Sequence, residues 1–70
     1  MREYLKKLRK DKHLTQQNVA DVLGISQNYY HCIENGERQK DLDLSIVMKL
    51  SELFGVTFEW IAEQEKAYKS

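Results

Sequence analysis

The side chains that could support catalysis in this chain are few and poorly arranged for it. The one thiol, Cys32, follows His31, and adjacent helical residues point about 100° apart, so no base is directed at the sulfur. Glu59 and Glu63 are spaced as on a solvated helix face. Cys32, His31 and His13 are the only cysteine and histidines, and they do not have the spacing of zinc ligands. A single cysteine cannot form an internal disulfide. The sequence therefore predicts no enzyme activity, no metal and no cofactor.

The size and composition of the chain are those of one small globular domain. Seventy residues are close to the lower limit for a single hydrophobic core, and a 41% hydrophobic, 31% charged composition distinguishes the chain from a disordered tail. No apolar run approaches the roughly 20 residues that cross a bilayer, and the first residues are too charged for a signal peptide. We expect one cytoplasmic domain over residues 1–70, without membrane association or a small-molecule ligand.

A formal net charge of zero hides a gradient along the chain. Residues 1–13 carry six bases against two acids, a balance of +4, whereas residues 14–40 have a balance of −1 and residues 41–70 a balance of −3. Zero net charge argues against nucleic acid, but the gradient permits one basic face toward a polyanion. An ordinary solvated helical surface has the same charges, so charge alone does not determine the function.

The absence of proline and the presence of only three glycines predict helices separated by short breaks. The first helix is expected at about residues 3–12, and residues 63–70 at the end of the fifth helix are expected to fray. The predicted N-caps of helices two to five are Thr15, Ser26, Asp43 or Ser45, and Thr57, and the predicted helix ends are Gly24, Gly36 and Gly55. The predicted fold class is therefore all-α with five helices.

The most informative pattern is Gln16-x3-Ala20-x3-Gly24-x5-Tyr30-x2-Ile33. Two helices joined by so short a turn cross steeply, so the residue at their closest approach must be small, as Ala20 is. Gly24 supplies the left-handed turn residue at little steric cost. Tyr30 and Ile33 place the third helix on the first two, and the size and hydroxyl of Tyr30 predict either that this helix sits further out or that the hydroxyl has a partner. The joint spacing predicts a helix-turn-helix over about residues 15–34.

Four short segments connect this pattern to a known family. They are Leu14-Thr15-Gln16-Gln17, Val19-Ala20, Leu23-Gly24-Ile25-Ser26-Gln27 and Ile33-Glu34-Asn35-Gly36. In this order the chain resembles the lambda-repressor-like helix-turn-helix domains of the Cro and xenobiotic-response-element type, over nearly its whole length. The resemblance implies a compact five-helix domain whose third helix enters the DNA major groove while the second lies across the backbone.

The resemblance also implies roles for individual residues. Base-edge contacts fall on Gln27, Asn28 and Cys32, phosphate contacts fall on Gln16 and Asn35, and Arg9 and Glu34 form a pair that links the first helix to the end of the third. The full set of phosphate candidates is Gln16, Gln17, Lys6, Lys10, Asn35, Arg38 and Lys40.

Helical geometry applied to the third helix agrees with the base contacts. With Tyr30 and Ile33 toward the core, the opposite face carries Asn28, His31, Cys32 and Asn35, with Gln27 in the exposed first turn. Amides donate and accept at once, which suits an adenine edge. We therefore predict base contacts from Gln27, Asn28, His31 and Cys32, the alternative being helix residues that simply face solvent. Cys32 either touches a thymine methyl or is a small neutral residue, and an oxidised sulfur there would obstruct the groove.

Arg9 and Glu34 follow apolar residues, Leu8 and Ile33, on the inner sides of their helices. This placement predicts a partly buried, bidentate ion pair that fixes the third helix. The alternative is two exposed charges that contribute little.

Together these observations predict a sequence-specific, repressor-like transcriptional regulator of bacterial or phage type that binds double-stranded DNA. A single helix reads only four or five bases, so we expect a homodimer on a palindromic operator with half-sites roughly 34 Å apart. Its interface is expected within residues 58–68, although Phe58, Trp60 and Tyr68 are equally candidates for the core. The alternative function is a helical protein–protein interaction module without specific DNA binding, favoured by the neutral charge and the tyrosines of the third helix.

Overall fold

A computed structural model describes every residue from Met1 to Ser70. It contains five α-helices and no strand, which confirms the all-α prediction. The helices are α1 (Glu3–Asp11), α2 (Gln16–Leu23), α3 (Gln27–Asn35), α4 (Leu44–Phe54) and α5 (Phe58–Lys69). None of them is long and apolar enough to span a membrane.

Side-chain caps set the starts of three of these helices. The hydroxyls of Thr15, Ser26 and Thr57 each accept a hydrogen bond from the backbone N–H three residues later, at 3.0–3.1 Å. Between α2 and α3, Gly24 adopts the left-handed conformation at φ +73°. Asp43 precedes α4 as expected, but its side chain does not cap the helix. The tight α2–α3 turn is thus determined by residues at both of its ends.

The core forms where α2 and α3 cross. Val19 and Ala20 of α2 and Tyr30 and Ile33 of α3 are fully buried, and the small side chain of Ala20 permits the close approach. The other buried apolar residues are Leu5, Leu23, Ile46, Leu50, Phe54 and Ile61. α3 therefore has one face fixed against the core, and its opposite face is turned away from it.

The C-terminal end of α5 differs from the sequence prediction. Residues 63–70 were expected to fray, but the helix continues to Lys69. Glu65 is buried and forms an ion pair with Arg2, and Lys69 pairs with Asp41 in the loop before α4. The last turns are stabilised by these partners, which lie far away in the sequence.

Candidate nucleic-acid interface

One side of α3 presents polar, uncharged side chains, and we call Gln27, Asn28, His31, Cys32 and Asn35 the polar face. Gln27, Asn28 and His31 are exposed, whereas Cys32 and Asn35 are partly buried. The face exists because the other side of α3 is fixed in the core. Its amide and imidazole groups both donate and accept hydrogen bonds, as reading of base edges requires.

Gln16, in the first turn of α2, connects the polar face to the preceding helix. Its Oε1 accepts a hydrogen bond from Gln27 Nε2 at 3.0 Å, and its amide lies 3.1–3.2 Å from His31 Nδ1. Asn35 Nδ2 lies 2.9 Å from His31 Nε2 at the other end of the face. These contacts fix the positions of several surface side chains before any ligand binds.

Beneath this network, Arg9 and Glu34 form the bidentate pair. Arg9 Nε and Nη2 donate to the two Glu34 carboxylate oxygens at 2.7 and 3.3 Å, and Arg9 Nη1 donates to the Leu14 carbonyl at 3.1 Å. The Arg9 side chain is 11% exposed and that of Glu34 is 3% exposed, so water screens the pair little. The pair joins α1 to the end of α3.

The environment of Glu34 favours its charged form. Burial alone would raise the pKa of Glu34, but the hydrogen bonds from Arg9 and Gln16, together with the neighbouring Tyr30 hydroxyl, outweigh that effect and hold the pKa below its ordinary value. The bond from Gln16 Nε2 to Glu34 Oε1 is 3.3 Å long. Gln16 therefore contacts both the buried carboxylate and the polar face.

The phosphate candidates occupy two regions of the molecule. Lys6 and Lys10 are on α1, and Arg38 and Lys40 are in the loop between α3 and α4. Lys10, Arg38 and Lys40 are exposed and Lys6 is partly buried, and none of the four forms an ion pair within the chain. The three amides of the set are bonded internally, Gln16 and Asn35 within the network and Gln17 to Asp21 Oδ1 at 2.7 Å.

The surroundings of Cys32 favour the protonated form of its thiol. Partial burial and the nearby Glu37 raise the pKa of the Cys32 thiol. Because the thiolate is the reactive form, a raised pKa favours the small neutral residue over the oxidisable switch.

The buried hydroxyl of Tyr30 lacks the partner that the sequence predicts as one of two alternatives. Its oxygen is enclosed by the core and has no hydrogen-bond partner. Burial raises the pKa of Tyr30 well above its usual range, so the hydroxyl stays protonated. The Glu34 carboxylate lies beside this hydroxyl and also raises the pKa of Tyr30, although the two groups do not meet the geometry of a hydrogen bond.

Sequence reasoning missed a buried polar cluster formed by Arg2, Tyr4, Glu65 and Tyr68, which we call the Arg2 cluster. Arg2 is fully buried, although the sequence treats it only as one charge of a basic segment. One local signal was present, because Glu65 follows the core residue Ile61 by four positions and therefore shares its face. The partner of Glu65 is 63 residues away and has no local signal.

The aromatic residues of α5 divide between core and surface. Trp60 is partly buried and packs edge-on against Tyr4 with ring centroids 5.9 Å apart, and Tyr68 lies under the Arg2 guanidinium. Phe58 is 45% exposed. Elsewhere, no group of three or more histidine, cysteine or acidic side chains is placed to hold a metal ion.

Comparison with known proteins places this architecture in a family. The family described as Helix-turn-helix matches residues 5–61. In Bacillus subtilis, the uncharacterized HTH-type transcriptional regulator YqaE is 39% identical over 96% of this chain and 56% of its own length. A second uncharacterized HTH-type transcriptional regulator of the same organism, YqaF, is 42% identical over 86% of this chain and 74% of its own length.

A prophage protein of the same organism is also similar. The SPbeta prophage-derived uncharacterized HTH-type transcriptional regulator YonR is 39% identical over 84% of this chain and 53% of its own length. The chain thus spans little more than half the length of YqaE and YonR. No solved structure matches the chain significantly.

Proposed function

Since this chain belongs to the Cro/C1-type helix-turn-helix family, we propose that it is a sequence-specific, repressor-like transcriptional regulator that binds double-stranded DNA. In this proposal α3 enters the major groove, and α2 lies across the backbone. The names of its relatives, all uncharacterized HTH-type transcriptional regulators, support the same class.

The observation that carries the proposal is the preorganised polar face. Gln27 and His31 are held by Gln16, and Asn28 is exposed beside them in the first turn of α3. Base readout needs amide donors and acceptors on a rigid element, and a helix backed by the core provides one. We assign base contacts to Gln27, Asn28 and His31, with Cys32 as a small residue that fits near a thymine methyl.

Phosphate contacts complete the proposed interface. Lys10, Arg38 and Lys40 are exposed cations without internal ion pairs, and Lys6 is on α1 with Lys10. We place Gln16, Gln17 and Asn35 at the edge of the same surface, where their amides reach backbone oxygens. The acidic half of the chain then faces away from the DNA.

The proposed binding unit is a homodimer on a palindrome. Leu44, Met48 and Phe58 are 68%, 45% and 45% exposed, and we call them the apolar patch. Val47 follows Leu44 by three positions on α4 and lines a groove with Phe58 of α5, whose other lining residues include Glu65 and Lys69. The domain measures 28 × 24 × 21 Å between its Cα atoms, and we propose that the two copies contact half-sites roughly 34 Å apart.

This dimer is tested by sedimentation of Met48→Glu and Phe58→Glu variants. A charge in a self-complementary patch faces its own copy across a twofold axis, so both variants should be monomeric at concentrations where the parent protein is dimeric. Ala67→Glu is the matched control, because Ala67 is exposed and nine residues from Phe58, on the opposite side of α5. A dimer that tolerates both patch charges would show that the interface lies elsewhere.

DNA binding itself is tested by titrating a random-sequence duplex at several salt concentrations. The proposal predicts a log–log slope of several units that falls by about one in Lys10→Ala. Selection from a random pool should then return a two-part palindromic site. A protein-binding module with this fold would instead show negligible affinity for the duplex even at low salt.

A further inference from the structure

The loop between α3 and α4 carries Arg38 and Lys40, and its Leu42 packs against the core. Arg38 and Lys40 are exposed, and Gln39 between them has a positive φ of 57°, which an ordinary side chain rarely adopts. Gln39 Nε2 donates to the Tyr29 hydroxyl at 2.8 Å, and the backbone N–H of Asp43 donates to Gln39 Oε1 at 2.8 Å. Such a backbone persists only where surrounding groups fix it.

Arg2 binds the backbone carbonyls of the same loop. Its guanidinium donates to the carbonyls of Ile33 at 2.8 Å, Arg38 at 3.2 Å and Lys40 at 3.4 Å, and also to the Gln39 carbonyl. Three consecutive loop carbonyls and the carbonyl of one α3 residue thus converge on one cation. The side chain is fully buried, so no water competes for these bonds.

Glu65 and two tyrosines fix the guanidinium in turn. Arg2 Nε and Nη2 donate to the Glu65 carboxylate at 2.9 and 3.1 Å, and the Tyr4 hydroxyl donates to the same carboxylate at 2.6 Å. The guanidinium lies 5.1 Å from the centre of the Tyr68 ring. The Arg2 cluster therefore connects the N-terminal segment, the loop and α5.

We infer that Arg2 is a positioning residue for DNA binding, which holds the α3–α4 loop in the conformation that presents Arg38 and Lys40 to phosphates. A buried ion pair is seldom a net source of stability compared with apolar packing, so the value of this one lies in the backbone that it orders. The inference rests on the proposed DNA-binding function, but its structural part is measured without DNA.

Limited digestion with trypsin tests the structural part. Trypsin cleaves after Arg38 and Lys40, at carbonyls that Arg2 binds, and after Lys12, in the distant turn between α1 and α2. In Arg2→Met, cleavage at the two loop sites should rise about tenfold while cleavage after Lys12 is unchanged, because proteolysis follows local opening. Equal acceleration at all three sites, or none, would overturn the inference.

Two further variants separate charge and folding from positioning. Arg2→Lys retains the charge but replaces five fixed N–H donors with one ammonium group, so trypsin cleavage in the loop should rise by less than in Arg2→Met. This variant also tests the inference if Arg2→Met does not fold. Lys7→Met removes an exposed N-terminal cation whose side chain is 78% exposed, and it should leave loop cleavage unchanged.

The functional part is measured as the salt dependence of duplex binding, well below the melting temperature of each variant. Each phosphate contact contributes about 0.9 to the log–log slope. Losing the contacts of Arg38 and Lys40 would lower the magnitude of the slope by about two units, and Arg2→Lys should produce part of that decrease. In an Arg38→Ala/Lys40→Ala background, changing Arg2 should have no further effect on binding, a result that general destabilisation does not produce.

The outcomes distinguish the two claims. A loop released in Arg2→Lys with an unchanged slope would refute the positioning role while leaving DNA binding intact. A parent protein without salt-dependent DNA binding would refute the proposed function and the positioning role together, and the trypsin result would then decide only whether Arg2 orders the loop.

Discussion

Gln16 Nε2 donates to Glu34 Oε1 at 3.3 Å, while the Oε1 of the same glutamine accepts from Gln27 on the exposed face of α3. One side chain thus joins the buried ion pair of α1 and α3 to a residue proposed to read DNA. The relationship makes stability and recognition partly dependent on the same carboxylate, and the first two predictions follow from it.

Glu34→Ala should reduce stability and DNA affinity together. The substitution leaves the guanidinium of Arg9 without its carboxylate partner in a site where its side chain is only 11% exposed, at a cost of about 3 kcal/mol. Thermal denaturation followed by circular dichroism measures the loss, with Glu63→Ala on the exposed surface of α5 as the control. An unchanged melting temperature would show that the pair contributes nothing to the fold.

The same pair makes stability depend on pH in acid. Because folding lowers the pKa of Glu34 below its ordinary 4.5, the stabilisation is complete above pH 4.5 and is lost as the pH falls through the lowered value. The melting-temperature difference between the parent protein and Glu34→Gln should therefore shrink below pH 4.5. A difference that stays constant down to about pH 2.5 would assign the acid sensitivity to other carboxylates.

Tyr30→Phe should raise the stability of the fold. The hydroxyl is buried without a hydrogen-bond partner, and removing an unsatisfied polar group while keeping the ring gains about 1 kcal/mol. Denaturant unfolding measures the change in the free energy of unfolding. Tyr29→Phe is the matched control: the Tyr29 hydroxyl accepts a hydrogen bond from Gln39, so its removal should lower the free energy of unfolding. Destabilisation by Tyr30→Phe would show instead that the hydroxyl bonds to the neighbouring Glu34 carboxylate.

Gln27→Ala and Asn28→Ala should reduce discrimination between DNA sequences without altering salt dependence. A good bidentate amide–adenine pair contributes about 1–3 kcal/mol of discrimination, whereas neither side chain neutralises a phosphate. Affinity is compared between the selected site and a scrambled duplex, with Gln64→Ala on α5 as the control. Equal losses for both duplexes would indicate that these residues contact only the backbone.

Local rules predicted most of the fold. Thr15, Ser26 and Thr57 begin helices where their side chains cap the backbone, and Ala20 lies at the crossing that required a small residue. The ion pair of Arg9 and Glu34 forms because its two members follow core residues on neighbouring helices. Each of these features depends on contacts within about 25 residues along the chain.

The Arg2 cluster was not predictable in the same way. Its central ion pair joins residues 63 positions apart, and neither helix periodicity nor capping identifies such a partner. The error over residues 63–70 has the same origin, because the partners that stabilise the end of α5 belong to the N-terminus and to the loop before α4. The sequence already predicts Arg38 and Lys40 as phosphate candidates, but it gives no sign of the Arg2 hydrogen bonds to the loop that carries them.

The orientation of α3 on DNA is tested most directly by nuclear magnetic resonance titration with the selected duplex, following the side-chain amide signals of Gln and Asn together with the backbone. The proposed function predicts the largest chemical-shift changes for the side-chain amides of Gln16, Gln27 and Asn28 and for the backbone of residues 38–40. The signal of Gln64 on α5 should not change. Shifts confined to Leu44, Met48 and Phe58, with the α3 amides unaffected, would contradict it.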